Sequence, residues 1–408
     1  MVGEFWIERT LGPLLSDPLG ILKSFPVILL TGPRQVGKSS LLKRIGPNFQ
    51  YISLDDLSVR LRANENPELF IRELRPPLII DEIQYAPQLL SYIKIMVDQG
   101  LPPMSIFLTG SQNFKVMKGI QESLAGRVAI LNLFGLSDAE KKIEIQSPID
   151  YFEQIFISNF PKLNRCQNLD ERALYLSSYL QTYVERDVSE LLGVQKRREF
   201  EIFLKLCAMR TGQIINYQDL ARDANVSPSV AKDWISVLED SFLIKIIHPH
   251  FSNKSKRLIK SPKMYFMDAG LAAYLSGWKT AEQLYLGPQN GAFFETHQLI
   301  NLVKNYRHQC KEVEISFWRT KDGQEVDFIV ETSKSIFPVE VKMGIPRASE
   351  IIDFDRISGP NWEEGKIISL SFQEQASNVA KSAQPNPKTY LKDHWQLISP
   401  MDIFKIDF

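Results

Sequence analysis

The stretch PVILLTGPRQVGKSSLLKRI holds two glycines, a lysine and a hydroxyl in the spacing G-x-x-x-x-G-K-[ST], at Gly32, Gly37, Lys38 and Ser39. Such a set handles phosphate. Glycines let the backbone turn its N–H groups inward around an anion, and a helix starting there adds the positive end of its dipole. Pro33, Arg34, Gln35 and Val36 complete the loop, and Ser40 follows it. Lys38 is placed to reach terminal phosphates and Ser39 to bind magnesium, so ATP with Mg2+ is the expected ligand. Downstream, PPLIIDEIQ supplies Asp81 to hold magnesium directly or through its water shell, and Glu82 to polarise an attacking water. SIFLTGSQN supplies Thr109 and Ser111, either able to sense the terminal phosphate, with Ser111 favoured.

A second set lies near the other end, in GQEVDFIVETSKSIFPVEVK. Asp327 falls in the first of two strands joined by a polar turn. Glu340 and Lys342 fall in the second, two apart and so on one side of it. Glu325 shares the side of Asp327, and Glu295 stands near the start of the helical stretch GAFFETHQLINLVKNY. An acid followed by an acid-x-lysine pair is what a metal-dependent nuclease core needs. A plain same-face ion pair between Glu340 and Lys342 is the alternative.

Regular elements must position these side chains. Strands are expected at the start of the phosphate loop and in YISLDD (51–56), PPLIIDEIQ (76–84), SIFLTGSQN (105–113) and VAILNLF (128–134), with helices between them. That alternation implies an α/β fold with a parallel sheet and the site at the strands' C-terminal ends. Residues 138–200 read as helices with mixed faces, and YLQTYVERDVSELL has apolar residues at helical spacing. Arg186 there is an outside candidate for nucleotide contact. INYQDLARDANVSPSVAKDWISVLEDSFLIKIIHPH then carries a helix-turn-helix pattern, with Leu220, Ala221, Val226, Val230, Trp234 and Leu238 as its core. The strands FLIKII and KMYFMD complete a winged helix.

The second helix of that motif is poorly basic, with Ser229, Lys232, Asp233 and Ser236 outward. The loop between the wing strands holds Lys254, Lys256, Arg257, Lys260 and Lys263 and no acid. Such a loop suits contacts to a DNA backbone, which give affinity without reading sequence. A solvated loop, or a winged helix serving as a protein adaptor, is the alternative.

The chain has 408 residues, 44% hydrophobic and 24% charged, which implies a soluble globular protein of two or three domains. Its zero net charge excludes coating of nucleic acid by bulk charge but not a local basic patch. Cys166, Cys207 and Cys310 are too few and too scattered for a disulfide framework or a zinc site, in keeping with a reducing cytoplasm. MVGEFWIERT does not read as a signal peptide, and no stretch has the apolar length of a membrane span.

The motifs GPRQVGKSS, LIIDEIQ, LTGSQ and SLAGRV look like those of AAA-type P-loop ATPases. That resemblance makes Arg127, just before the fifth strand, a candidate arginine finger reaching a neighbouring subunit's nucleotide, which would require a homo-oligomer. The late helix followed by three strands resembles the PD-(D/E)xK nuclease fold. By that resemblance Asp327 and Glu340 would hold a divalent metal, Mg2+ or Mn2+, Lys342 would orient or activate water, and Glu295 would complete the site. Val326 stands where the family's name has proline, a residue without a chemical role. RTGQIIN, KSPKMYFMDAGL, GAFFE, WRTKDGQEVDFIVE and PVEVK extend the resemblance over nearly the whole chain. It is similar to prokaryotic AAA-type ATPases with a C-terminal domain of unknown function.

The expected organisation is therefore a P-loop ATPase domain (1–137), a helical, lid-like segment (138–198), a winged helix (199–268) and an α/β nuclease-like domain (269–408). The expected function is ATP hydrolysis, in association with DNA, controlling a metal-dependent nuclease-like domain. The alternative is a nucleotide-dependent regulatory switch that binds a protein partner and cuts nothing. A small-molecule kinase would use the same loop, but the winged helix and the nuclease-like tail speak against it.

Overall fold

The run Val27–Thr31 is buried along its whole length and forms β1. It is one of five parallel strands, with β2 at Gln50–Ser53, β3 at Leu78–Asp81, β4 at Ile106–Gly110 and β5 at Val128–Asn132. Their order across the sheet is β2-β3-β4-β1-β5. Both faces of the inner strands are covered, so their sequences read as continuous apolar runs rather than alternations. Leu29, Ile80, Ile83, Leu90, Ile93 and Leu108 lie in one buried cluster with the helix Leu89–Asp98.

This computed structural model describes residues 6–17, 19–110, 120, 123–166, 168–183, 196–250, 261–320, 322–357, 362–371, 390–392 and 394–404. Of the candidate residues, Ser111, Arg186, Lys254, Lys256, Arg257 and Lys260 lie outside the described residues. The chain divides into two compact units. One comprises residues 1–136, 240–242 and 307–311; the other comprises 137–239, 243–306 and 312–408.

In the second unit the helices Tyr217–Asp223 and Pro228–Asp240 meet across a tight turn in which Asn225 takes a left-handed φ of 57°. Asn216 caps the first helix, and the Ser227 hydroxyl accepts from the N–H of Val230 at 3.3 Å at the start of the second. Leu220, Ala221, Trp234 and Leu238 are buried as expected, whereas Val226 and Val230 are only half-buried. Trp234 packs edge-on against Phe200 and Phe203. The two wing strands, β7 (Ile244–Ile247) and β8 (Lys263–Phe266), pair antiparallel and are shorter than the sequence implied. A short strand not foreseen, β6 (Gln213–Ile214), pairs with the other edge of β8.

The C-terminal part builds a six-stranded mixed sheet from β9 (Glu314–Arg319), β10 (Glu325–Glu331), β11 (Ile336–Lys342), β12 (Gly365–Ser369), β13 (Tyr390–Lys392) and β14 (Trp395–Ile398). Its order is β13-β14-β12-β11-β10-β9. The strands β9, β10 and β11 pair antiparallel, whereas β11, β12 and β14 pair parallel. A bulge puts one extra residue on β10 between Val326 and Ile329, so these two, three apart, enter the same apolar cluster. Asp327 lies within that bulge, a device that re-aims side chains at sheet sites.

The helix Asn290–Arg307 departs from its expected amphipathic character. His297, Gln298, Asn301 and Lys304 on it are fully buried. The buried carboxylate of Asp138 explains part of this: it meets His297 Nε2 at 2.9 Å, Asn301 Nδ2 at 2.8 Å and the Tyr151 hydroxyl at 3.0 Å. Gln298 in turn donates to Tyr151 at 2.7 Å. Polar groups survive burial when they find such partners. Burial alone would raise the Asp138 carboxyl, but His297, Lys141 and Tyr151 together outweigh burial and hold it well below the ordinary range.

Candidate functional site

The phosphate loop leaves the C-terminal end of β1 and turns into the helix Lys38–Ile45. Two glycines make this turn possible. Gly32 has φ 141°, and a Cβ there would stand 2.0 Å from the carbonyl oxygen of Leu133. Gly37 caps the helix with φ 94°. The ammonium of Lys38 donates to the carbonyls of Gly32 and Pro33 at 2.9 and 2.8 Å, so it lies against the loop itself. Arg34 is half-buried, Val36 is buried, and Gln35 and Ser40 are exposed.

The end of β3 faces this loop with Asp81, which is 4% exposed. Three hydroxyls converge on its carboxylate. Ser39 donates to Oδ1 at 2.7 Å, Tyr51 donates to Oδ2 at 2.6 Å, and Thr109 makes a short bond to Oδ1. The Thr109 hydroxyl also accepts from the N–H of Glu82 at 3.0 Å, so Thr109 ties β4 to both acids. Burial and the neighbouring Asp81 push the Tyr51 phenol well above its ordinary range, which keeps it a donor. Glu82 itself has a left-handed φ of 61°, and its carboxylate accepts from Gln84. Ser39 and Asp81 thus present hard oxygens side by side, a donor set that fits Mg2+.

Two supports of this site carried no motif. The buried Arg9 donates to the loop carbonyl of Val36 at 2.8 Å and to that of Phe134 at 2.6 Å. Its partners lie 27 and 125 residues away, so nothing local could reveal it. Tyr51 was visible only as a strand residue.

Arg127 lies at the opposite end of the parallel strands from the loop. The register pairs Val27 with Val128 and Thr31 with Asn132, so Arg127 precedes the N-terminal end of β5, the neighbour of β1. Four residues of strand, about 13 Å, separate that end from the one bearing the loop. Arg127 therefore cannot serve the nucleotide site of its own chain, and it pairs with Asp98 at 2.7 Å.

The C-terminal acids also gather. Lys342 Nζ stands 2.7 Å from Glu340 Oε2 and 3.7 Å from Asp327 Oδ2, and Asp327 Oδ2 accepts from the N–H of Val341 at 2.8 Å. Burial and then Asp327 raise the Glu340 carboxyl well above its usual value. Burial alone would lower the Lys342 ammonium, but Asp327 and Glu340 outweigh it and raise it.

Glu295 does not complete a ligand set as expected. It is held by Lys263 Nζ at 3.3 Å and by the Tyr265 hydroxyl, both from β8. Among the described residues no three or more His, Cys, Asp or Glu side chains stand close enough together to hold a metal ion. Burial and Asp327 push the Glu295 carboxyl up to about 7. Lys263 was expected in the basic loop that suits contacts to a DNA backbone. It is instead buried, in contact with Glu325 as well as Glu295, while Arg319 takes the other oxygen of Glu325 at 3.2 Å. Lys232 is exposed on the helix Pro228–Asp240. No helix among the described residues is long and apolar enough to cross a membrane.

Comparison with known proteins matches three stretches of the chain. Residues 24–141 match a family model described as an AAA domain. Residues 148–282 and 290–376 match two models described as domains of unknown function, DUF8612 and DUF4143. Relatives include the uncharacterized proteins Rv2008c of Mycobacterium tuberculosis and Mb2031c of Mycobacterium bovis. Each is 29% identical over 329 residues, covering 78% of this chain and 70% of the relative. Among solved structures, the Walker-type ATPase PABY2304 of Pyrococcus abyssi aligns over 64% of this chain and 94% of its own, at 16% identity and a TM-score of 0.41. A likeness that slight carries no reading of function. The AAA match and the loop, strand order and acids described above agree: the first unit carries an AAA-type P-loop ATPase domain.

Proposed function

We propose that this protein is a Mg2+-dependent ATPase whose first unit binds and hydrolyses ATP. The observation that carries the reading is the convergence of Ser39, Thr109 and Tyr51 on the Asp81 carboxylate, beside the phosphate loop. Loop N–H groups and Lys38 would hold the terminal phosphates, and Ser39 with Asp81 would hold the ion. The ion, when bound, offsets negative charge on the phosphate oxygens. Glu82, next to Asp81 and fixed through its N–H to Thr109, would orient and polarise the attacking water. Ser111 remains the sensor candidate, since the Thr109 hydroxyl is committed to Asp81 and Glu82. Arg127 would act only on a neighbouring copy's nucleotide. The test is ATP turnover with Mg2+: Glu82→Gln should bind ATP as the parent does and lose hydrolysis by about 100-fold or more. Unchanged turnover would remove Glu82 from this role.

A second reading concerns the other unit. Asp327, Glu340 and Lys342 converge on the adjoining strands β10 and β11, a grouping that would suit a metal-dependent phosphodiesterase. DNA held by the wing and cut or sensed here, under nucleotide control, is the function this supports. Incubation of plasmid, linear and single-stranded DNA with Mn2+ tests it, with Lys342→Ala as the control. If all forms stay intact and do not bind, the regulatory switch with a protein partner is the better reading.

A further inference from the structure

The acidic cluster of the second unit already contains a cation. Four carboxylates, Glu295, Glu325, Asp327 and Glu340, gather around two ammonium groups, Lys263 and Lys342. The two lysines differ. Lys342 has a side chain 37% exposed, at the solvent end. The Lys263 side chain is 5% exposed and bridges Glu295 at 3.3 Å to Glu325. Glu295 Oε1 is further occupied by the hydroxyl of Tyr265.

Buried ammonium groups are costly unless paired. Lys263 is tolerated because its strand, β8, delivers it between two acids, Glu295 and Glu325. It comes from the wing sheet, whereas Asp327 and Glu340 come from the six-stranded sheet. Lys342 Nζ stands 2.7 Å from Glu340 Oε2 and 3.7 Å from Asp327 Oδ2, so this pair of acids shares one ammonium between two carboxylates.

We propose that Lys263 is the resident cation of this cluster: it withholds Glu295 from the Asp327–Glu340 pair and thereby sets, and weakens, the affinity of that pair for a divalent ion. The inference rests on reading Asp327 and Glu340 as a divalent-ion pair. An ammonium and a divalent ion compete here for the same carboxylate charge. Lys263 repels an ion bound beside it and also holds back a third oxygen ligand. Lys263 is a positioning residue in this account, and β8 is the means by which the wing sheet acts on the cluster.

The experiment titrates nucleotide-free, full-length protein with Mn2+ and reads free Mn2+ by electron paramagnetic resonance. The component lost in Asp327→Asn belongs to the cluster. Lys263→Met and Lys263→Gln should bind that component about ten-fold tighter, the order expected for removing one like charge from beside a cation at a high effective dielectric. Lys263→Arg should stay near the parent. Gln keeps a donor toward Glu295, so it serves if the Met variant does not fold. An Asp327-dependent component whose affinity is unchanged or weaker in the neutral variants overturns the role of Lys263 and leaves the ion pair standing. Absence of that component in the parent and every variant overturns both. DNA cleavage plays no part in the readout, so the outcome does not depend on nuclease activity.

Discussion

The acids at the two ends of the chain are held by different kinds of partner. Asp81 receives three neutral hydroxyls, from Ser39, Tyr51 and Thr109. Those donors orient the carboxylate and leave its charge intact. The C-terminal acids are met by cations of the protein itself: Lys263 on Glu295 and Glu325, Arg319 on Glu325, and Lys342 on Glu340 and Asp327. Asp81, Asp327 and Glu340 are all buried carboxylates on strands, and they look alike in sequence. The difference teaches that the partner decides what an acid is for. A carboxylate fixed by hydroxyls is poised for an ion from solution, and one fixed by ammonium groups is largely neutralised before any ion arrives.

The largest expected effect is on the first site. Lys38→Ala should lower ATP turnover by at least about 100-fold, measured as phosphate release, because it removes a preorganised charge from the phosphates. Retained turnover would break the comparison at its firmer end. Asp81→Asn keeps the shape but removes the charge and turns one of the two accepting oxygens into a donor. Turnover should fall by about 10-fold to 100-fold, with partial recovery at high Mg2+. If Asn performs as well as Asp, the charge was not being reserved for an ion.

Gly32→Ala places a methyl group against the carbonyl of Leu133 and forces a left-handed backbone on a side chain. It should destabilise the first unit by about 2–4 kcal/mol in denaturant unfolding. Lys304→Met extends the lesson about buried lysines. Burial lowers the Lys304 ammonium to about 7. Its folded pKa lies below the unfolded one, so the unfolded chain binds more protons between pH 7 and the ordinary lysine range. Stability should rise with pH across that window. Met at this position should flatten that rise and stabilise the second unit by about 1–3 kcal/mol at pH 7. A loss of stability instead would show that the ammonium is needed where it is. The smallest effect is at the surface: Asp98→Ala, which frees Arg127 from a half-exposed pair, should change stability by less than about 1 kcal/mol.

Much of the first site could be read from the chain. Its loop, strands and acids are local features, fixed by glycine geometry and by apolar runs that can only be buried strands. Gly32, Gly37, Lys38, Ser39, Asp81 and Glu82 fell into place at the C-terminal ends of parallel strands. The C-terminal acids were equally visible, and their strands formed where the alternation put them. What was not legible was company. Lys263 looked like one more basic loop residue, and Arg9 looked like nothing at all. The helix Asn290–Arg307 looked amphipathic until Asp138 was found against its polar side.

Sequence by itself determined the elements and the inventory of reactive groups, because periodicity, glycine and proline act over a few residues. Tertiary structure alone decided which charge meets which. Arg9 reaches Phe134, Asp138 reaches His297, and Lys263 reaches both Glu295 and Glu325 across separations that no local pattern encodes. Burial turns such meetings into chemistry, since a charge removed from water must be paired or must shift its protonation. That is why identical acids serve as an expected ion site at one end of this protein and as a lysine-filled cluster at the other.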